Sequence, residues 1–495
     1  MKNILIISCF VWCMASGFDL RAQDPYDSAE TAKLRSFLIQ ESAEPGIRNY
    51  EQLGIEDVNN IKWGEIAGLS WNHRTYLLET INWPNKKLSG NMDLSGFAAL
   101  KYLSCSHNEI DFVDVTGATS LLRYDLYENN LESVDVTTNP NLTYIRLGYN
   151  HIQHVDLSNN PSLTFFCCTN NRVEHLDLSN KAKLQTIYCS ENQLLSVNVQ
   201  NCDRLKEFSC IGNKLTEIDV SNARYLADFS CSRNNISSVN VLNCASLVTF
   251  DCSYNEIESI DFSGCVNLLY VKCSDNKLKE LCLNDCLLLE ELFCYGNLLD
   301  SLKLPESPSL RIVNCKQNNL DFYSLPPVLP TFTEYIYYPQ NNRTAEMVID
   351  SADLSHYYEI DGFISNYTWN DGPYWIKPEM KENGIFSFEE SYLEKQLVCR
   401  IENETFSKLV LRYDVVLKEL NDVGNENPES FFRCYGDKGV VHIVTKAAAD
   451  VRIFSLNGRV VFSKHLGEGH VTIPLDPGFY VVTLPNNVCY KLLVR

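Results

Sequence analysis

The side chains that could carry chemistry in this chain recur at a fixed interval. His154 and His175 lie 21 residues apart, with His151 and Glu174 nearby, and two imidazoles aligned by a repeat could hold a divalent metal ion. A third ligand at a fixed position is not evident, so we interpret these histidines as solvated surface groups and predict no metal site. No serine–histidine–aspartate order, glycine-rich phosphate loop or paired-cysteine spacing makes a convincing site either. The sequence therefore predicts no catalytic residues, no cofactor and no enzyme activity.

Carboxylates follow the same interval. One place in the repeat is held by aspartate at Asp114, Asp135, Asp156, Asp177, Asp219 and Asp261. Stacked like charges repel each other, so either solvent screens them or cations bridge them. Screening is the interpretation that we favour.

Cysteine is the third recurring type, with 20 in the chain. Nine share one place (Cys105, Cys168, Cys189, Cys210, Cys231, Cys252, Cys273, Cys294 and Cys315), and four share another (Cys202, Cys244, Cys265 and Cys286). A metal site needs thiolates that converge on one point, whereas a column points them side by side, so we predict small buried apolar side chains. Neighbouring copies come within the Cα range of a disulfide, but parallel side chains make its torsion awkward. Mainly free, buried thiols are expected.

An exact internal repeat positions all these residues. Leucine recurs every 21 residues from Leu100 to Leu310, eleven times, and defines eleven units that we call rungs 1 to 11. Places four and six, and places fourteen and sixteen, are apolar with the period of a β-strand, so each rung predicts two short strands that stacked copies can pair. Place nine is always asparagine, whose amide can bond the backbone groups that a turn leaves unpaired. This predicted structural ladder is Asn108, Asn129, Asn150, Asn171, Asn192, Asn213, Asn234, Asn255, Asn276, Asn297 and Asn318.

The repeat resembles the leucine-rich repeat family. Residues 163–180 and 247–264 are similar to its 21-residue bacterial class, with the pattern LxxLxCxxNxLxxLDLSxN. The resemblance covers residues 100–325 and implies a mainly β solenoid of about eleven repeats. It also implies a binding role without naming a ligand.

The segments outside the repeat predict four further units. Residues 1–23 have the charge and apolar run of a secretory signal peptide, and residues 24–99, with helix-like spacing from Ser28 and three tryptophans, predict a helical cap. Residues 326–420 predict an immunoglobulin-like β-sandwich of antiparallel strands around Trp369, beginning with a strand at 332–338. A polar linker at 421–430 leads to a small β domain at 431–495.

The last of these units resembles the C-terminal sorting domain of type IX secretion, in residues 451–461 and 478–482. That resemblance implies a Bacteroidetes-type bacterium and passage through its outer membrane, with surface retention or release. The secretion machinery would then be a partner. An ordinary small β-sandwich with no sorting role remains the alternative.

The chain carries a net charge of −21, which repels phosphate backbones and anionic lipid heads, so nucleic-acid binding is excluded. In the leucine-rich family the strand that carries place six lines the concave side, which implies that its outward neighbours at places three, five, seven and eight form the binding surface. Tyrosine and arginine are concentrated there, as at binding hot spots. The predicted ligand-binding residues are Tyr102, Arg123, Tyr127, Tyr144, Arg146, Tyr149, Phe165 and Tyr188.

The leading hypothesis is an exported cell-surface or secreted protein, not membrane-spanning, that binds a protein or glycan through this concave face. A structural spacer whose terminal β modules make the contacts is one alternative. An accessory protein that positions a polysaccharide on aromatic platforms is the other.

Overall fold

The structure is a computed structural model. It describes residues 25–221, 223–348, 351–392, 395–418, 432–437, 440–445, 449–455, 460–466, 469–475, 478–483 and 489–494. The predicted signal peptide at 1–23 and the polar linker at 421–430 lie outside the described residues.

The predicted fold class is confirmed: the chain is mainly β and forms a leucine-rich repeat solenoid of about 12 turns. In each rung the strand at places three to five pairs with the corresponding strands of the rungs before and after it, in parallel, because the interval is constant. The place-four side chains of these strands are buried, as are the leucines at place one. The fourteen strands of this sheet are Leu69–Trp71, Leu78–Asn82, Tyr102–Ser104, Arg123–Asp125, Tyr144–Arg146, Phe165–Cys167, Thr186–Tyr188, Glu207–Ser209, Asp228–Ser230, Thr249–Asp251, Tyr270–Lys272, Glu291–Phe293, Ile312–Asn314 and Glu334–Ile336.

The opposite side of the solenoid has separate two-stranded parallel sheets. These are Ser89–Asp93 with Glu109–Asp114, His175–Asp177 with Ser196–Asn198, and Glu217–Asp219 with Ser238–Asn240. Each aspartate of the predicted column accepts a hydrogen bond of 2.8–3.0 Å from the backbone N–H two residues later, as Asp219 does from Ser221. The recurring aspartate therefore closes a turn on its own rung, a role that charge repulsion alone does not reveal.

The N-terminal cap is built around a helix, α1 (Ser28–Leu38), followed by one short turn, α2 (Asn49–Gln52), and a 3-10 turn, Trp63–Glu65. Asp27 caps α1, since its Oδ1 accepts hydrogen bonds of 2.9 Å from the backbone N–H groups of Ala29 and Glu30. The large apolar side chains of α1, Leu34, Phe37 and Leu38, are buried in the same core as the first solenoid turns.

The cap region is less helical than predicted, because part of it belongs to the solenoid. Strand Leu78–Asn82 pairs in parallel with Tyr102–Ser104. On its other side Leu78–Asn82 pairs in antiparallel orientation with Leu69–Trp71. The three-residue strand Leu69–Trp71 is therefore the first edge of the sheet, and short edge strands offer few unpaired backbone groups.

At the other end the solenoid continues past the predicted boundary at residue 325. The strand expected to open the sandwich instead pairs in parallel with Ile312–Asn314, as Glu334–Ile336. Gln340 takes the place of a ladder asparagine: its amide nitrogen donates to the Cys315 carbonyl at 3.1 Å, and its oxygen accepts from the Asn318 N–H at 3.1 Å. The longer glutamine accommodates a spacing of 22 residues, which the period of 21 does not predict.

The sandwich that follows has two sheets. Five strands pair in the order Arg343–Val348, Val410–Lys418, Gln396–Glu402, Asn366–Asn370 and Trp375–Ile376, and three in the order Ser351–Asp353, Ile385–Ser387 and Glu379–Glu382; a separate hairpin joins Glu359–Ile360 to Phe363–Ile364. Trp369 fills the space between the sheets, with its ring 5.2 Å from Phe386 and 4.9 Å from Phe388. The first strand runs parallel to the last, so the prediction of antiparallel strands throughout is wrong at this edge.

The described strands of the C-terminal module also form two antiparallel sheets. One has the order Phe432–Asp437, Val440–Thr445, Gly469–Pro474, and the other Val460–Leu466, Ala449–Ser455, Gly478–Thr483, Cys489–Val494. Its buried residues, among them Val441, Ile443, Val451 and Ile453, form a core separate from that of the solenoid and sandwich. None of the helices among the described residues is long and apolar enough to cross a bilayer.

Candidate ligand-binding face

The candidate binding surface is the outward side of the fourteen-stranded sheet, which we call the sheet face. Strand alternation points places three and five away from the core, and both are accessible to solvent in most rungs. At place three Tyr102, Arg123, Tyr144 and Phe165 are direct partners on successive strands. The structure thus brings four of the eight predicted residues into one row.

A first chain of ring contacts follows this row. The Arg123 guanidinium lies 3.8 Å from the centre of the Tyr144 ring, which stacks on Phe165 at 4.4 Å with an angle of 7° between the planes. Phe165 then meets the edge of Tyr188 at 5.9 Å. A guanidinium above an aromatic face is attracted by the ring quadrupole, so the row is preorganised before any ligand arrives.

A second chain lies beside it, at places five, seven and eight. Arg146 covers the Tyr127 ring at 3.8 Å, and Tyr127 contacts Tyr149 at 5.1 Å. Gly148 makes room for this arrangement, since a Cβ there would lie 3.1 Å from the Tyr127 ring. Tyr149 is 47% exposed, so this group keeps a free aromatic surface.

One residue that connects the two chains was missed in the sequence. Asp125, at place five of rung 2, is only 3% exposed. Its Oδ2 accepts a hydrogen bond of 2.8 Å from Nη2 of Arg123, and its Oδ1 lies 4.0 Å from Nη1 of Arg146. A buried carboxylate thus holds the Arg123 guanidinium by a hydrogen bond and attracts that of Arg146 by charge alone, since its Oδ1 accepts no hydrogen bond. The signal available in the sequence was an acidic residue at an outward place between two arginines.

The Asn ladder lies directly behind the sheet face, and each of its eleven asparagines makes the same contacts. For Asn213, Nδ2 donates to the carbonyls of Cys189 at 3.1 Å and Cys210 at 3.0 Å, and Oδ1 accepts from the Leu194 N–H at 3.0 Å. The residue before each asparagine has a positive φ, for example 56° at Tyr149. These bonds fix the turn from which places seven and eight project.

A second ladder occupies place nineteen. Asn139 and Asn160 donate there to backbone carbonyls, and the thiols of Cys202, Cys244 and Cys265 do the same at 3.2 Å. These cysteines are therefore weak hydrogen-bond donors as well as filler, which corrects the purely apolar interpretation.

The sixteen cysteines from Cys105 to Cys399 are free, and all of these except Cys282 are buried. Burial raises the pKa of Cys105 and Cys273 to about 12, so their thiols are uncharged at neutral pH. No three His, Cys, Asp or Glu side chains converge on one point in the described part of the chain. Of the histidines weighed as metal ligands, His175 is hydrogen-bonded through Nδ1 to the Ser196 hydroxyl at 2.9 Å.

No protein-family model matches the chain, and none of the curated proteins matches it. Among solved structures, the functional domain of InlJ from Listeria monocytogenes, described as including a cysteine ladder, is 19% identical over 68% of this chain and 90% of that chain, with a TM-score of 0.42. YopM from Yersinia pestis, described as a leucine-rich effector protein, is 23% identical over 63% of this chain and 88% of that chain, with a TM-score of 0.45. Likeness at this level carries no information about ligand, location or activity.

Proposed function

We propose that the protein binds a protein ligand through the sheet face of rungs 1 to 5. The observation that carries this proposal is the pair of arginine–tyrosine stacks on either side of the buried Asp125 carboxylate, which is hydrogen-bonded to Arg123 and lies 4.0 Å from Arg146. Rigid aromatic and guanidinium groups lose little entropy on binding, and such groups form the energetic centre of many interfaces. They stand out in a chain with a net charge of −21.

Two other functions can be distinguished from protein binding by the same variants of the sheet face. If the solenoid is only a spacer, the sheet face contributes nothing to binding, and the ring contacts merely stabilise neighbouring strands. If the protein positions a glycan, the open Tyr102 and Tyr149 rings would be the platforms for sugar stacking. The protein ligand is preferred because the arginines are already engaged with rings and with Asp125, as in a preformed hot spot.

We also propose that the protein is exported to the cell surface or released, and that the C-terminal module is recognised by the secretion machinery of a Bacteroidetes-type bacterium. The support is the signal-like sequence at 1–23 and the resemblance of residues 451–461 and 478–482 to sorting domains. Removing residues 430–495 should leave the rest folded but stranded in the periplasm. Surface labelling of cells that make the shortened chain measures this, and normal display would reject the sorting role.

The binding proposal is tested with Tyr144→Ala combined with Arg146→Ala. Partners captured by the mature chain from extracellular material are titrated against both proteins, and we expect the double variant to lose about 2 kcal/mol or more of binding free energy. The matched control is Arg224→Ala combined with Tyr225→Ala, which removes the same residue types from exposed places away from the sheet face. Equal affinities of the Tyr144/Arg146 variant and the parent would favour the spacer.

A further inference from the structure

The sheet face has a hollow in its middle, C-terminal to the arginine–tyrosine stacks. It has a volume of about 380 Å³ and spans rungs 5 to 8. We call it the acidic hollow and define it by Tyr188, Glu207, Ser209, Asp228, Ser230 and Thr249.

The hollow exists because two neighbouring rungs have serine at place five. Ser209 and Ser230 are direct partners on adjacent strands, whereas place five before them is the bulky Tyr188. After them place five is Asp251, and the larger Lys272 and Phe293 follow on the next two rungs. The floor is formed by Phe208 and Phe229, whose rings stack 5.4 Å apart towards the core. The hollow is therefore a gap at two small side chains, bounded at one end by the Tyr188 ring, over a rigid base.

Its charge is negative and unbalanced. Glu207 and Asp228 are direct partners on adjacent strands at place three, so two carboxylates face the same space. No lysine, arginine or histidine in the described part of the chain forms an ion pair with either of them. Elsewhere on this face a carboxylate at the same place does have a basic partner, as Glu291 has in Arg311. Two like charges placed side by side favour a bound cation.

The hollow also offers an aromatic wall and an unsatisfied acceptor. The Tyr188 hydroxyl donates to the Glu207 carboxylate, and this bond, together with burial, raises the pKa of Tyr188 to about 12, so the phenol stays neutral. The Ser230 Oγ is buried and has no hydrogen-bond partner among the described residues. A cation with several N–H donors would satisfy the carboxylates and Ser230 while lying against the ring.

We propose that the acidic hollow binds the cationic side chain, arginine or lysine, of an extended polypeptide ligand whose acidic side chain contacts Arg123 and Arg146. The inference rests on the proposed function, because it assumes that the ligand lies along the sheet face. Arginine fits better than lysine, since its planar group can stack on Tyr188 and bond both Glu207 and Asp228.

The spacing between the two contacts follows from the repeat. The arginines lie on rungs 2 and 3, and the carboxylates on rungs 6 and 7, so four strand spacings separate them. At about 4.8 Å each this is roughly 19 Å, which an extended peptide covers in about six residues. The ligand segment should therefore carry an acidic residue and a basic residue about six positions apart.

The test uses the full mature chain and a displayed library of random twelve-residue peptides. Peptides retained by the parent protein should contain arginine or lysine about six positions from an acidic residue. Their affinity, measured by fluorescence anisotropy, should fall at least tenfold with Glu207→Gln combined with Asp228→Asn, and also with Ser230→Phe, which fills the hollow without changing charge. Place five already accepts Tyr188 and Phe293, so the fold should tolerate phenylalanine there. Circular dichroism verifies that each variant is folded.

The control is Glu217→Gln combined with Glu258→Gln, which removes two exposed carboxylates from the other side of the solenoid and should leave affinity unchanged. Peptides that bind the hollow variants as well as the parent, yet lose affinity with the Tyr144 and Arg146 double variant, would overturn the hollow and leave the proposed function standing. If no peptide is retained, or retained peptides ignore both sets of variants, the proposed function fails and the hollow with it.

Discussion

Replacing Asn213 by alanine tests the physical role of the Asn ladder at one rung. Asn213 is 9% exposed and lies in the middle of the solenoid. Its Oδ1 is the hydrogen-bond partner of the Leu194 N–H, while the carbonyls of Cys189 and Cys210 each also accept from a second ladder asparagine, Asn192 and Asn234. Alanine therefore leaves one buried N–H unpaired and removes one of two donors from each carbonyl.

The expected cost can be worked from these contacts. An unsatisfied buried group costs about 1 to 3 kcal/mol, and the partial loss at the two carbonyls adds a smaller amount, so we expect the free energy of unfolding to fall by about 3 kcal/mol. Asn213→Asp should be at least as destabilising as Asn213→Ala. It keeps an oxygen that accepts from the Leu194 N–H, but it places a carboxylate oxygen next to the carbonyl oxygens of Cys189 and Cys210, where the two repel.

The assay combines urea unfolding with hydrogen exchange of the peptide that contains Leu194. Exchange at this amide should accelerate in Asn213→Ala, because its acceptor is gone. The matched control is Asn235→Ala, the same substitution at an exposed position in the next rung, which should change stability by less than about 0.5 kcal/mol. Equal unfolding midpoints for the two variants, with unchanged exchange at Leu194, would refute the role of the ladder.

Three further predictions follow from buried groups. Asp125→Asn removes the charge that pairs with Arg123 and attracts Arg146, so ligand affinity should fall about fivefold or more with little change in melting temperature. An unchanged affinity would contradict this. Cys231→Ala should cost about 1 to 2 kcal/mol in urea unfolding, whereas Cys231→Asp should not fold. Among the thiols from Cys105 to Cys399, iodoacetamide should modify the exposed Cys282 first, which peptide mass spectrometry detects. Rapid labelling of Cys231 would argue against a buried column. Burial raises the pKa of Glu30 from 4.5 to about 7, so the folded state favours the protonated carboxyl more than the unfolded state does. The contribution of Glu30 to folding stability is therefore complete below pH 4.5 and is lost as the pH rises through 7. At pH 8 the free energy of unfolding of Glu30→Gln, measured with urea, should therefore exceed that of the parent by about 2 kcal/mol, and this difference should shrink towards pH 5. A difference in stability that does not change with pH would count against a raised pKa at Glu30.

The sequence predicted the repeating part of the structure well because every rung meets a copy of itself 21 residues away. Inward places, the parallel pairing of one strand per rung and the position of the ladder asparagine then follow from one period and from the hydrogen-bonding capacity of an amide. The second strand predicted for each rung forms in only five of the eleven rungs. The same regularity led to wrong boundaries at both ends of the solenoid. The strands Leu78–Asn82 and Glu334–Ile336 extend the sheet, but each lies 22 residues from its neighbouring strand, and a search for an exact period of 21 does not find them.

The sequence by itself determined the solenoid, its core and the row of aromatic residues on the sheet face. Only the tertiary structure decided which of those residues touch. Asp125 attracts arginines from two rungs, Gly148 makes room for a ring from the previous rung, and the acidic hollow is the absence of side-chain volume at Ser209 and Ser230. Such features depend on side chains that differ between neighbouring rungs, and a repeat pattern describes only what the rungs have in common.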